Sequence, residues 1–352
     1  MKRILNKKPE GVLSQRESYV LNCIVEAYVC SASPVGSRYL CKKYSMDFGP
    51  ATIRNIMNDL EEMGFLCQPH VSAGRVPTDL AYRFYVDSLM STRRLGKRER
   101  RVVDDSLGVH SADVKEILLV ASQVLGRISA QLGVVLEPSF NRGVFQKMDL
   151  VRISPSRLMA VISIKSGLVK TIMMEIESSV PEDMLHQTVF LVNERLSGLS
   201  LREVKETIDQ RLTDVTVSGN SVIQLILDST EKLFSFDQKE DVHLGGTSNI
   251  VSNPEFAQSE DVARMLGLIE NKNSLVNKFV REEDAHLSIL IGEENKEDLF
   301  RACSVVMAPY SVGNIGGSLG VIGPTRMEYS KIISLVGYVG RALTRHLSEI
   351  RG

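Results

Sequence analysis

Thr52, Arg54, Asn55 and Asn58 fall within seven residues of one another, in the stretch ATIRNIMNDLEEMGFL that begins at Ala51. Their side chains carry the groups that read base edges. An Asn amide pairs with N6 and N7 of adenine, an Arg guanidinium with O6 and N7 of guanine, and a Thr methyl packs on the methyl of thymine. Such chemistry has to be gathered on one face. Gly49 and Pro50 supply the cap and first turn of a helix and Gly64 a left-handed ending, so the spacing predicts a helix from Pro50 to Met63. At 100° per residue, Ile53, Ile56, Met57, Leu60 and Met63 line one side, while Ala51, Asn55 and Asn58 point away with Thr52 and Arg54 on the flanks. From this helix alone, a solvated polar face explains the pattern equally well.

The residues that follow favour the reading face. FLCQPH reads as a short half-buried strand, VSAGR as a turn, Val76 and Pro77 as the return strand, and Thr78 as a new helix cap. Helix, strand, small-residue turn and return strand describe a winged helix. His70, Ser72, Gly74 and Arg75 belong to its wing, where Arg75 at the tip is expected to reach phosphates or a minor groove. Upstream, Ser14 and Glu17 form a capping box for a helix with an apolar stripe of Val20, Leu21, Ile24, Val25 and Tyr28. Ser33 and Pro34 then open a second helix, to about Lys43, that turns Ser37 and Arg38 toward the groove and Val35 and Leu40 inward as the positioning helix of a helix-turn-helix. After the wing, Thr78 to about Thr92 is expected to form an amphipathic helix with Leu80, Phe84 and Leu89 apolar and Tyr82 and Arg83 beside the wing. Arg93 to Arg101 places six basic residues in nine, broken at Gly96, as a linker.

ATIRNIMNDLEEMGFL followed by QPHVSAGRVPTDLAYRFYVD resembles the N-terminal signature of the HrcA-type heat-inducible transcription repressors of bacteria. PVGS at Pro34 to Ser37, the later IGEEN and GVIGPTRMEY agree with it, and the resemblance extends over essentially the whole chain. The chain departs from that pattern at Gly49, where Ser is common, at Val71, where Thr is common, and at Leu80-Ala81. The resemblance implies a GAF-like domain that holds an inserted dimerising domain. It also implies a homodimer on double-stranded DNA, at an inverted-repeat operator upstream of chaperone operons, with the chaperonin as modulating partner. Heat would then act indirectly, as unfolded proteins occupy the chaperonin and the repressor loses its support.

Composition agrees with this division of labour. Residues 1–101 carry 17 Lys and Arg against 10 Asp and Glu, and the remainder 25 against 33, a basic head on an acidic body that fits phosphate binding by the head. With 352 residues and 43% hydrophobic content, two or three domains with real cores are expected. No apolar run approaches a membrane span and MKRILNKKPE lacks a secretion signal, so a cytoplasmic protein is expected. The five cysteines are odd in number and read as reduced thiols. Cys67 and His70 find no further ligands in the pattern, so neither metal nor cofactor is expected.

The rest of the chain reads as an α+β fold. LGVVLEP, FQKMDLVRIS, RLMAVISIK and GLVKTIMMEI are strands joined by the turns SPS and KSG; residues 181 to about 281 are mostly helical; AHLSILIGEEN, FRACSVVMAPY and GSLGVIGP return to strands before a closing helix. The expected domains are a winged helix with basic linker at 1–101, a GAF-like antiparallel sheet domain at 102–180 plus 286–352, and a mostly helical α/β dimerising insertion at 181–285. Strands on either side of the insertion would pair, with residues near 176 beside residues near 287. GNIGGSLGVIGP lacks the G-K-[ST] of a phosphate loop and reads as a hairpin. Glu293 and Glu294 would point to opposite faces of a strand and form no acid/base pair. No catalytic set emerges, so a binding protein is expected and not an enzyme. A regulator that senses a small molecule through the GAF-like sheet is the alternative.

Overall fold

The protein is seen in a computed structural model that describes residues 13–71, 73–91, 93–108, 113–138, 143–165, 169–176, 180–216, 221–234, 242–256, 259–279, 286–312 and 315–349. Its first helix, α1 (Gln15–Ser31), opens on the expected box: Glu17 Oε2 accepts the Ser14 N–H at 2.6 Å and Ser14 Oγ the Glu17 N–H at 3.3 Å. One face of α1 buries Val20, Leu21, Cys23, Ile24, Val25 and Ala27. Helix α2 (Ser37–Tyr44) starts later than the sequence predicts, with Gly36 as its cap in place of Ser33. The cause is Val35, which is extended and exchanges two N–H···O bonds of 2.9 Å with Arg75, so this segment is committed to the wing before the helix begins.

Helix α3 (Pro50–Glu62) has Pro50 in its first turn and buries Ile53, Ile56, Met57 and Leu60. Each such side chain contributes about 1.5–3 kcal/mol when fully buried. Gly64 ends the helix with φ +81°, and the Phe65 N–H reaches back to the Leu60 carbonyl at 2.9 Å. Strands β1 (Leu66–Cys67) and β2 (Val76–Pro77) pair antiparallel as the stem of the wing.

Helix α4 (Asp79–Phe84) is capped by Thr78 Oγ1, which accepts the Ala81 N–H at 3.3 Å, and it widens into a π-helical turn over Tyr85–Leu89. The expected amphipathic helix is therefore shorter, and its inward face differs. Thr78 Oγ1 also donates to the Gly64 carbonyl at 2.8 Å, which fixes the start of α4 so that Ala81, Tyr82 and Phe84 are buried and Leu80 stays 49% exposed. Phe84 meets Phe65 edge-on at 5.5 Å, and Tyr82 lies 5.8 Å from the ring of Tyr329. Thr92 lies outside the described residues. Gly96 caps α5 (Lys97–Leu107), with its N–H held by Glu99 Oε2 at 2.9 Å.

The chain continues through α6 (Val114–Ser129), β3 (Leu132–Leu136), β4 (Phe145–Ser154), β5 (Arg157–Ile164), β6 (Val169–Glu175), α7 (Glu182–Leu196), α8 (Leu201–Thr216), α9 (Ser221–Asp228) and α10 (Thr230–Phe234). It then forms β7 (Val242–Gly245), α11 (Thr247–Val251), α12 (Ser259–Glu270), α13 (Lys272–Phe279), β8 (Ser288–Ile291), β9 (Cys303–Val312), β10 (Ile315–Pro324) and α14 (Tyr329–Glu349). The fold is mixed helix and sheet, with antiparallel pairing of β4 to β5, β5 to β6 and β8 to β9.

The sheet membership corrects the expected pairing. A five-stranded sheet runs β7-β3-β10-β9-β8, and a separate three-stranded sheet runs β4-β5-β6. Residues near 176 are thus not partners of residues near 287. The physical reason is visible in burial: β3 is buried at every position, as suits a strand covered on both faces, whereas β4 and β6 keep exposed positions between buried ones and β5 alternates buried with half-buried ones. GSLGVIGP is the strand expected of it and makes up most of β10, while Gly313 and Asn314, where the hairpin would turn, lie outside the described residues. Glu293 and Glu294 lie in a tight 3-10 turn, Gly292–Glu294, and not on a strand.

By its contacts the chain falls into two compact units, Met1–Val135 with Val242–Pro309 and Leu319–Ala342, and Leu136–Asp241 with Tyr310–Ser318 and Leu343–Gly352. In the second unit, Phe145, Met148, Ile162 and Ile172 of the three-stranded sheet share a core with Leu185, Val192, Val204, Ile208, Ile226 and Phe234 of α7 to α10. In the first, β7 and α11 to α13 accompany the winged helix.

Candidate nucleic-acid interface

The period of α3 sets the interface. Because Ile53, Ile56, Met57 and Leu60 are drawn into the core, Thr52, Arg54, Asn55 and Asn58 are all exposed on the outer side of the helix. The structure brings these four together as one row. Ser37 is placed differently: as the first residue of α2 it is only 9% exposed, while its neighbour Arg38 is exposed. Lys42 and Lys43 are exposed at the end of α2, and the Lys43 Nζ lies 5.4 Å and 5.3 Å from the rings of Tyr39 and Tyr44.

The wing is a small three-stranded device, with Val35 bridging Arg75 on one side and β1 pairing with β2 on the other. Gly74 has a steric reason. A Cβ there would stand 2.4 Å from the Val35 carbonyl oxygen, so no side chain fits. His70 is exposed on the turn, its carbonyl accepting the Ala73 N–H at 2.8 Å, and Val71 is 99% exposed at the tip. Ser72 lies outside the described residues.

Arg75 is turned away from the position expected of it. Its side chain is 15% exposed and lies against α3, where Nη2 donates to Asn58 Oδ1 at 3.1 Å and pairs with Glu61 Oε2 at 2.8 Å. The carboxylate and the amide draw the guanidinium inward, so among the described residues His70 and Val71 are the exposed ones at the tip of the wing. Gln68 is a wing residue that the sequence reading passed over. Its Nε2 donates to the carbonyls of Val71 at 2.9 Å and Ala73 at 3.0 Å, holding the turn from inside. An amide at the mouth of a turn was the available signal.

Behind the interface, three motifs of the sequence meet within one unit. Arg83 of PTDLAYRF donates through Nε to Glu294 Oε1 of IGEEN at 2.6 Å and through Nη2 to the Ile289 carbonyl at 2.7 Å. Asp79 Oδ2 accepts the Glu293 N–H at 3.1 Å, and burial pushes the Asp79 carboxyl above its usual range, partly offset by that bond. Arg326 of GPTRMEY donates to the Val29 carbonyl of α1 at 2.8 Å and pairs with Glu255 at 2.8 Å. The reading head is thus anchored through Asp79 and Arg83 of α4 and through the Val29 carbonyl of α1.

A family model described as "HrcA protein C terminal domain" matches residues 115–333. The chain belongs to the HrcA family. It is 40% identical to the heat-inducible transcription repressor HrcA of Chlorobium limicola, covering 96% of this chain and 98% of that protein. It is 41% identical to the repressor of the same name from Chlorobium phaeobacteroides, with the same coverage. Among solved structures, one described as a hypothetical protein shares the fold with a TM-score of 0.58 at 21% identity, covering 96% of this chain and 99% of that one. As a member of the HrcA family the protein is a transcription repressor, a negative regulator of heat-shock genes, and not an enzyme. Among the described residues, no helix is long and apolar enough to cross a membrane.

Proposed function

We propose that the protein acts in the cytoplasm as a homodimer that binds an inverted-repeat operator upstream of chaperone genes, with one α3 in the major groove of each half-site. Thr52, Arg54, Asn55 and Asn58 read bases. Ser37, through the start of α2, together with His70 and Ser72 of the wing, secures position on the backbone or minor groove. Residues 1–101 form the DNA-binding part, and the remaining chain, 102–180 with 286–352 and 181–285, serves dimerisation and regulation. The chaperonin keeps the repressor competent for DNA, and unfolded proteins that occupy the chaperonin on heating relieve repression.

The single observation that carries this reading is the exposed row Thr52, Arg54, Asn55 and Asn58 on a helix fixed to a wing, in a chain of a repressor family. Two linked reading heads explain why the operator should be symmetric: the second half-site binds at the high effective concentration set by the first. The experiment is an operator titration with one half-site scrambled. Loss of about a hundredfold or more in affinity is expected, and equal affinity for intact and half-scrambled operators would remove the dimer from the account.

A further inference from the structure

One side chain joins the wing to the reading helix, and its geometry bears on what that helix can read. Arg75 is fixed from both sides. Its backbone exchanges two 2.9 Å bonds with Val35, and the preceding Gly74 packs on the Pro34-Val35 backbone with no room for a Cβ. Its Nη2 reaches Asn58 Oδ1 and Glu61 Oε2, three residues apart on α3. We infer that Arg75 is a positioning residue that sets the orientation of Asn58 and makes it a donor toward a purine N7. The inference rests on the reading of α3 as the recognition helix.

A guanidinium has only N–H groups to offer, so the Asn58 amide must turn its oxygen to Arg75. That directs Nδ2, with its two protons, away from the wing. An unrestrained Asn can rotate its amide and approach adenine with oxygen and nitrogen together, on N6 and N7. Asn58, with its oxygen held, approaches a base edge with the amino group leading, and the acceptor common to both purines in the major groove is N7. Glu61 completes the hold: it neutralises the charge of Arg75, so that this Arg acts on the amide and not as a free cation seeking phosphate.

Base analogues test this with the full-length protein. Each purine of the operator is replaced in turn by its 7-deaza analogue, which lacks the N7 acceptor, and the affinity ratio of natural to substituted operator is measured for every variant. Taking the ratio within one variant cancels any loss of folded protein. For the wild type, one position per half-site should show a ratio of about 5 to 150, the fold equivalent of about 1–3 kcal/mol. Asn58→Asp keeps an acceptor for Arg75 but removes the donor, and should bring the ratio at that position to about one. Arg75→Met, which keeps the stem and removes the guanidinium, should lower the same ratio while leaving the ratios at other sensitive purines, and the salt slope of binding, unchanged. A salt slope reduced by about one unit in Arg75→Met marks a phosphate contact and overturns the inference. So does an unchanged pattern of ratios in that variant. If Asn55→Ala also leaves operator affinity intact and no purine is sensitive in the wild type, the recognition-helix reading falls and the inference with it.

Discussion

Asn55 stands at the centre of the exposed row, one turn from Ala51 and flanked by Arg54. A base-reading amide there separates specific from nonspecific binding. Asn55→Ala should cost about 1–3 kcal/mol on the operator and little on random DNA; equal losses on both, measured by titration at one salt concentration, would take Asn55 out of base readout. In α1, Cys23 is buried, and burial pushes its thiol up from 9.0 to about 11. The unfolded chain therefore loses this proton before the native one does. The contribution to stability is complete below pH 9 and is lost as pH rises through about 11, at about 1.4 kcal/mol per unit of that interval. Thermal melts between pH 8 and 11 should fall less steeply for Cys23→Ala than for the wild type, and parallel curves would show that this thiol is not what titrates. At this scale the sequence disclosed which residues face outward, because period and caps are local. The inward turn of Arg75 could not be read, since its partners Asn58 and Glu61 lie 17 and 14 residues back along the chain.

Among the elements, α3 and the wing were legible because each boundary is written in its own residues: Pro50 at one end, Gly64 at the other, and Gly74 where two backbones touch. The start of α2 was not. Ser33 and Pro34 are good helix-opening residues, and only a bridge to Arg75 far along the sequence keeps Val35 extended. Membership of β3 was hidden for a related reason, although its unbroken LGVVL contrasts with the alternation of RLMAVISI in β5 and carries the signal of a strand covered on both faces. The anchoring of α4 was the largest gap, since Arg83 and Glu294 are 211 residues apart. Their side chains are 26% and 35% exposed, so solvent screens the pair. A double-mutant cycle with Arg83→Ala and Glu294→Gln should give a coupling of about 0.5–1 kcal/mol in stability, shrinking as salt is added. A coupling of zero at low salt would leave the anchor to Tyr82, Phe84 and Asp79.

For the whole molecule, the order β7-β3-β10 decides the folding problem. β3 ends at Leu136, β7 begins at Val242 and β10 at Ile315, so this sheet closes only across roughly a hundred residues or more. The pairing predicted between residues near 176 and 287 is replaced by one at least as distant, and the consequence is the same: apolar strands stay exposed while they wait for partners. Dilution from denaturant should give slow recovery and aggregation, and chaperonin with ATP should restore operator binding without remaining in the DNA complex. Fast, complete unassisted refolding would break the proposed link between chaperonin occupancy and repression. Whether two copies of α3 read a symmetric operator is decided by footprinting the full-length protein on the chaperone promoters of its own organism. The expected result is protection of two major-groove faces related by a dyad, with Asn55→Ala abolishing protection at the concentration where the wild type gives it. Protection of a single unrepeated site, or a footprint that Asn55→Ala leaves unchanged, would contradict it.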